Sequence, residues 1–447
     1  MTIRRIAATL AALTILILCP ALFAADVPMP AHFVFGHSAG DGPKADAVSD
    51  NSVYSPATGW GFDLATKQDA ATGKPFFFSV AVPEGNYKVT LTLGGTTDAT
   101  TTVKAESRRL MLEQIHTAAG QTRTESFTVN VRRPEISTGG AVIGVVGLDS
   151  REIGVLNWDD KLTLEFSGDH PSVSQISIDR VNVPTLYVIG DSTVTDQPTE
   201  PGGSWAQSLP RWFTADVAVS NHAESGETLK AFRRPAERRW DKILSQLKPG
   251  DYVFMQFGTN DMKKSGNNNI YPDEDFSSTY SPANTEFKDL LKKYGAETKE
   301  KGATPVFVSA MGRRADSHTA NSLGEYPKAA LTAAQEFGCP SIDLNGMSIN
   351  VYLALGSDLV ARAFNDGTHP NTYGGYLLSR CIVEGIKADK LDIAKYIRDD
   401  AGTFDPNHPD PLPDAFKVPA DIRAGGGGRG GARRGRGGAA PTTARGG

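Results

Sequence analysis

The apolar periodicity of this chain changes once, near Pro184, and that change limits the folds open to it. Before Pro184 the pattern is that of strands. Tyr87, Val89, Leu91 and Leu93 alternate with Lys88, Thr90 and Thr92, and the same period of two recurs in Phe127, Val129, Val131 and in Leu162, Leu164, Phe166. Alternation of this kind turns one face of a pleated strand toward a core. Pro83-Glu84-Gly85-Asn86 sits between two such runs with turn chemistry. Short strands separated by Gly, Pro and Asn, with little helical periodicity, predict an all-β sandwich domain over residues 26–183.

After Pro184, short fully apolar runs lead into loops: Leu186-Tyr187-Val188-Ile189, Val217-Ala218-Val219, Tyr252-Val253-Phe254-Met255 and Pro305-Val306-Phe307-Val308. Helical segments lie between them, around Ser204 to Phe213, Pro235 to Leu247 and Asn284 to Lys301, the last with Phe287, Leu290, Leu291 and Tyr294 on one face. Strands alternating with helices imply right-handed crossovers and a parallel sheet covered on both faces, an α/β domain over residues 184–400. Ligands in such sheets bind where strand C-termini open into loops. The informative residues are therefore those that follow each apolar run.

The two ends of the chain read differently from its body. Arg4 and Arg5, the apolar run Ile6 to Leu18, then Pro20 and the small-residue site before Ala25 have the layout of a signal peptide over residues 1–24, which predicts a secreted or periplasmic protein with no membrane anchor after cleavage. Ala424 to Gly447 holds 11 of the chain's 46 glycines and five arginines, so residues 401–447 are expected to be a linker and a disordered tail. The formal charge of -5 becomes -12 for the body once these two basic ends are removed. An acidic body argues against nucleic acid as a partner. Cys339 and Cys381 remain in the body, enough for one disulfide, and their pairing is left open.

Three loops carry chemistry: Gly190-Asp191-Ser192-Thr193-Val194, Gly258-Thr259-Asn260-Asp261 and Asp366-Gly367-Thr368-His369-Pro370. Each alone is ordinary turn chemistry. Together, at strand ends, they supply what acyl transfer needs. A serine hydroxyl is a weak nucleophile and requires a base, which His369 can be for Ser192 if Asp366 fixes its tautomer. The developing oxyanion needs donors: the Asn260 amide, the Ser192 backbone amide, and the backbone amide of Gly226 in Asn221-His222-Ala223-Glu224-Ser225-Gly226. Asp191 is expected to hold the serine loop through backbone hydrogen bonds, and Asn371 to cap the helix that follows His369. No Cys or second His stands at ligand spacing beside Asp366 and His369, so neither a metal nor a cofactor is expected.

These residues resemble the GDSL or SGNH hydrolase superfamily, with Ser192, Gly226, Asn260 and His369 in family order and Asp366 three before the histidine. Thr193 replaces the leucine of the superfamily's name. Gly-Asp-Ser-Thr-Val, Asn-x-Ala-x-x-Gly, Gln-Phe-Gly-Thr-Asn-Asp and Asp-Gly-Thr-His-x-Asn-x-x-Gly are most similar to rhamnogalacturonan acetylesterases, carbohydrate esterase family twelve. The resemblance spans Pro184 to Arg398. It implies a flavodoxin-like three-layer fold, a secreted acetylesterase of the Ser-His-Asp type without cofactor, and an acetylated polysaccharide as substrate, rhamnogalacturonan pectin first and acetylated xylan or a small ester next. Glu227, where that family often has a basic residue, is a departure that bears on the substrate.

The β-region resembles galactose-binding-like sandwiches, by pattern and without a diagnostic motif. Trp60, Tyr54 and Phe62 form either a sugar platform or core packing, and Trp205 either a core residue or a stacking face. The cluster Arg233, Arg234, Arg238 and Arg239 reads first as a solvated helix face with Glu237 and Asp241 as partners, and second as a patch that attracts anionic pectin. A non-catalytic carbohydrate-binding protein is the reading from another class, against which the complete set of five site residues speaks.

Overall fold

The computed structural model describes residues 26–36, 45–69, 72–264, 279–318 and 321–409. The expected signal peptide and the Gly/Arg-rich tail lie outside the described residues. So does the linker beyond 409; before it, Ala401 and Phe404 are buried against the core, so the packed chain runs past residue 400.

Among the described residues twelve strands precede Pro184: β1 (Ala31–Phe35), β2 (Asp46–Val48), β3 (Trp60–Asp63), β4 (Phe76–Ala81), β5 (Gly85–Gly94), β6 (Ala99–Ala105), β7 (Arg109–Thr117), β8 (Thr122–Val131), β9 (Glu135–Thr138), β10 (Ala141–Val145), β11 (Lys161–Asp169) and β12 (Val173–Val181). The antiparallel sheet β3-β4-β11-β6-β7 faces the strands β8-β5-β12-β1 across one hydrophobic core. The alternation seen in sequence is the packing: Tyr87, Val89, Leu91 and Leu93 are fully buried, and Lys88, Thr90 and Thr92 face outward. Of the three aromatic residues singled out before Phe76, Phe62 is core, Trp60 packs on Phe33 with ring centroids 5.1 Å apart, and Tyr54 lies under the Lys161 ammonium.

The second half supplies β13 (Thr185–Gly190), β14 (Ala218–Asn221), β15 (Tyr252–Gln256), β16 (Thr304–Val308) and β17 (Ser341–Ile342), all parallel, with helices α1 (Trp205–Ser208), α2 (Arg239–Gln246), α3 (Lys288–Glu300), α4 (Tyr326–Phe337), α5 (Leu344–Val360) and α6 (Thr372–Ala388). Each parallel strand is buried on both faces. Leu186, Val188, Phe254 and Val306 pack against α1, α5 and α6, while Tyr187, Ile189, Val253 and Phe307 pack against α2, α3 and α4. The strand order β14-β13-β15-β16-β17 reverses direction between β13 and β15, which makes that gap the switch point where such sheets bind ligands.

Pro184 marks a change from antiparallel to parallel pairing but no break in the sheet. β14 pairs in parallel with β8 through Val219 and Val129, joining both halves into one ten-stranded sheet. A free β14 edge would expose unpaired backbone groups, and β8 covers it. Polar side chains seal the seam: Ser220 donates to Asn130 (2.6 Å), Asn130 to Asn86 (2.7 Å) and Asn86 to Thr185 (2.8 Å). The mixed α/β architecture with a large parallel-containing sheet agrees with the expected fold class. Among the described residues no helix is long and apolar enough to cross a membrane.

Candidate active site

Ser192 sits in the loop leaving β13, at the switch point. Gly190 ends that strand against β15, where a Cβ would lie 2.6 Å from the Gln256 carbonyl oxygen. Asp191 is fully buried and organises the turn: its Oδ1 accepts from the Thr193 amide (3.0 Å) and the Thr193 hydroxyl (2.8 Å), while its carbonyl accepts from the Val194 amide (2.9 Å). Thr193, in the place of the superfamily's leucine, accepts in turn from Gln256 Nε2 at 2.7 Å, and Gln256 Oε1 accepts from Trp205 Nε1 at 2.8 Å. Trp205 is therefore a core residue whose indole holds the loop, with no face left for a sugar.

His369 comes from the loop between α5 and α6. Oδ1 of Asp366 accepts from the backbone amides of Thr368 (2.7 Å) and His369 (2.8 Å), and its Oδ2 lies 2.7 Å from His369 Nδ1. With Nδ1 donating to Asp366, Nε2 is the acceptor, 2.8 Å from Ser192 Oγ. Burial alone would raise the Asp366 carboxyl, but the two backbone amides and the imidazole outweigh it and hold it below the usual carboxylate range. Asn371 caps α6 by accepting from the Gly374 amide at 3.0 Å, and it also donates to the Arg362 carbonyl, fixing the histidine loop to the helix. The helix packs close to the serine side of the site, since a Cβ on Gly375 would meet the Ser204 carbonyl oxygen at 2.6 Å.

The other two residues expected at the site stand on the loops after β14 and β15. Gly226 takes a left-handed φ of +90°, a conformation that favours glycine. Asn260 is buried, and its Nδ2 donates to the carbonyl of Glu227, the residue after Gly226, at 3.0 Å. One Nδ2 hydrogen is thus engaged and the other is left for a further acceptor. Asp261 anchors this loop by accepting from the amides of Leu229 and Gly258, each at 2.9 Å. Ser192, Asp366 and His369, dispersed over 178 positions, are joined by hydrogen bonds at the C-terminal end of β13, and Gly226 and Asn260 stand on the loops that leave the neighbouring strands β14 and β15.

Glu227 is fully buried beside Arg239 and cannot meet a polymer directly, so its departure from the family pattern is settled inside the core. The arginine cluster is only partly solvated. Arg233, Arg234 and Arg238 pair with Glu297, Glu237 and Asp241, but Arg239 is buried and pairs with Glu152 at 2.6 Å. Asp149, Glu152 and Glu224 bring carboxylate oxygens together, with Arg151 paired to Asp149 and Glu224 and Arg239 to Glu152. Cys339 and Cys381 are free thiols.

Several contacts to these loops were not legible in the sequence. Arg109, at the start of β7, forms a buried pair with Asp196 of the serine loop at 2.8 Å, and Asn221 donates to the other oxygen of that carboxylate at 2.7 Å. Neighbouring Arg108 donates to the carbonyls of Gln197 and Gly202 and to Thr372 Oγ1 at the start of α6. Nothing local marks the partners of the two arginines, which lie some ninety to more than two hundred and sixty positions away. Lys263, three residues after Asn260 and bonded to its Oδ1 at 2.7 Å, was readable from that spacing.

Residues 188–375 match the model of the GDSL-like Lipase/Acylhydrolase family. The chain is 31% identical over 232 residues to rhamnogalacturonan acetylesterase RhgT of Bacillus subtilis, an alignment covering 47% of this chain and 93% of that protein. It is 27% identical over 320 residues to the esterase YxiM of the same organism, covering 69% and 74%. A rhamnogalacturonan acetylesterase of Emericella nidulans aligns at 29% identity over 45% of this chain and 84% of its own length. On its matched motifs and on the near-complete alignment to RhgT, this chain belongs to the GDSL-like lipase/acylhydrolase family and is homologous to rhamnogalacturonan acetylesterases.

Proposed function

We propose that this protein is a secreted or periplasmic serine esterase that removes O-acetyl groups from plant cell-wall polysaccharide, with rhamnogalacturonan pectin as its substrate. The observation that carries the reading is the continuous hydrogen-bonded path from Ser192 Oγ through His369 to Asp366 at the switch point. Ser192 Oγ attacks the acetyl carbonyl carbon as its proton passes to His369 Nε2, and Asp366 stabilises the imidazolium. The amides of Ser192 and Gly226 and the Asn260 side chain receive the oxyanion. Collapse expels the sugar oxygen, which takes the proton from His369. Water, activated by the same imidazole, then releases acetate from the acetyl-enzyme.

Homology to rhamnogalacturonan acetylesterases supports the choice of acetylated pectin as substrate. The N-terminal β-region serves this reading first as a scaffold, since its strands extend the catalytic sheet; a galactose-binding-like sandwich that also holds sugar is the further expectation. Acetate release from defined acetylated rhamnogalacturonan, xylan and p-nitrophenyl acetate tests the proposal. Ser192→Ala should abolish release from all three while the protein stays folded. Retained activity in the purified variant rejects the nucleophile, and preference for xylan over rhamnogalacturonan rejects the substrate.

A further inference from the structure

The two donors of the oxyanion site that do not belong to the serine each have a cation bonded to their acceptor end. Asn260 donates through Nδ2, and its Oδ1 accepts from Lys263 Nζ at 2.7 Å. The Gly226 amide shares its peptide unit with the Ser225 carbonyl, and that carbonyl accepts from the Arg151 guanidinium at 2.5 Å. Arg151 is held in place by Glu224 at 2.5 Å and Asp149 at 2.7 Å, and it belongs to the N-terminal region rather than to the hydrolase half. An amide whose oxygen is bonded to a cation has its N–H polarised, and hydrogen bonds in a chain strengthen one another. The same bond fixes the plane of the amide and so the direction in which the N–H points.

We propose that Arg151 and Lys263 are positioning residues of the oxyanion site, each orienting and polarising one donor amide from its carbonyl end. The proposal rests on the assignment of Gly226 and Asn260 as oxyanion donors. It gives the N-terminal region a part in the chemistry, because the Gly226 peptide is braced by a side chain that no isolated hydrolase half would contain. Neither cation needs to touch substrate. Two other sources of support for the same loops, the Asp261 carboxylate and the Glu227 carbonyl, act on backbone or on Nδ2 and leave the carbonyl ends to Lys263 and Arg151.

Removing an oxyanion donor outright typically costs about a hundred- to a thousandfold in turnover, and removing only its polarising partner should cost a fraction of that, about 3- to 30-fold. The test is steady-state hydrolysis of p-nitrophenyl acetate by the full chain carrying Lys263→Met, Arg151→Met, Lys263→Arg or Arg151→Lys, with thermal melting to confirm folding. The expected result is a fall in kcat with KM nearly unchanged for the two Met variants, and partial recovery in the charge-retaining pair. In an Asn260→Ala background, Lys263→Met should have no further effect, because its partner amide is gone, whereas Arg151→Met should lower kcat as before. Folded Met variants with unchanged kcat overturn the proposal. A Lys263→Met loss as large in Asn260→Ala as in the parent overturns it for Lys263, since the charge would then act through space. Ser192→Ala and Asn260→Ala run in parallel separate the cases: if Ser192→Ala retains activity or Asn260→Ala keeps its kcat the underlying site assignment fails, and if both lose turnover the failure lies with the cations.

Discussion

Replacing Asp366 by Asn should convert the His369 loop from a working base to a blocked one without disturbing its shape. In the parent, one carboxylate oxygen accepts two backbone amides, at 2.7 and 2.8 Å, and the other faces His369 Nδ1 at 2.7 Å. The two backbone donors will keep the oxygen of the variant's side chain, which turns its NH₂ toward Nδ1. Nδ1 must then accept, the proton moves to Nε2, and Nε2 can no longer take the proton of Ser192. Restoring the useful tautomer means flipping the amide and giving up two hydrogen bonds of about 0.5–1.5 kcal/mol each, so about 1–3 kcal/mol. Loss of the carboxylate's attraction for the imidazolium adds about 1 kcal/mol at most, because the Asp366 side chain is 53% exposed and screened by solvent. The total of about 1–4 kcal/mol corresponds to a roughly 5- to 1,000-fold fall in kcat/KM, below the roughly 10⁴-fold loss seen where the corresponding carboxylate is buried. The assay is p-nitrophenyl acetate hydrolysis by Asp366→Asn beside Ser192→Ala, with melting curves for both. A folded Asp366→Asn enzyme within threefold of the parent would refute the tautomer argument.

Three further outcomes follow from the same geometry. Asn260→Ala should lower kcat by about a hundred- to a thousandfold with little change in KM; a raised KM at unchanged kcat would mean the amide only binds substrate. Arg109→Met should destabilise the protein by about 3–5 kcal/mol, because it strands the fully buried Asp196 carboxylate with Asn221 alone, and a denaturant midpoint shift equivalent to less than 1 kcal/mol would show that the pair is expendable. Burial, with the Asp159 carboxylate adding to it, pushes the Glu106 carboxyl up to about 8. The folded state therefore keeps a proton that the unfolded chain sheds near the ordinary Glu value, and this contribution to stability, full at low pH, is lost as pH rises toward 8. Glu106→Gln should flatten the fall of Tm between pH 5 and 8, and an unaltered slope in calorimetry would count against the raised value.

The chain declared by itself whatever depends on local chemistry. Apolar alternation in Tyr87 to Leu93 and the fully apolar runs at Leu186 and Tyr252 wrote the strand types, because side-chain period follows from backbone geometry alone. The turn residues around Ser192, Asn260 and His369 were legible for the same reason: Asp366 reaches His369 across three positions, and Asp191 reaches Thr193 across two. Lys263 stood within the same reach of Asn260.

Tertiary structure alone decided the rest, since its partners lie far apart in sequence and are chosen by burial rather than by motif. The join of β14 to β8 carries one sheet across the boundary expected at Pro184, and it covers what would otherwise be an unpaired edge at β14. Phe62 went to the core rather than to a sugar platform because Phe76 and Phe78 enclose it. Arg239 left the solvated face predicted for its cluster because Glu152, 87 positions earlier, waits beneath it. Arg108, Arg109 and Arg151 carry no signal in their own neighbourhoods, yet they hold the serine loop and the Ser225 carbonyl. An ion pair or a cation on a carbonyl needs only a complementary group in space, and only the folded chain states which group that is.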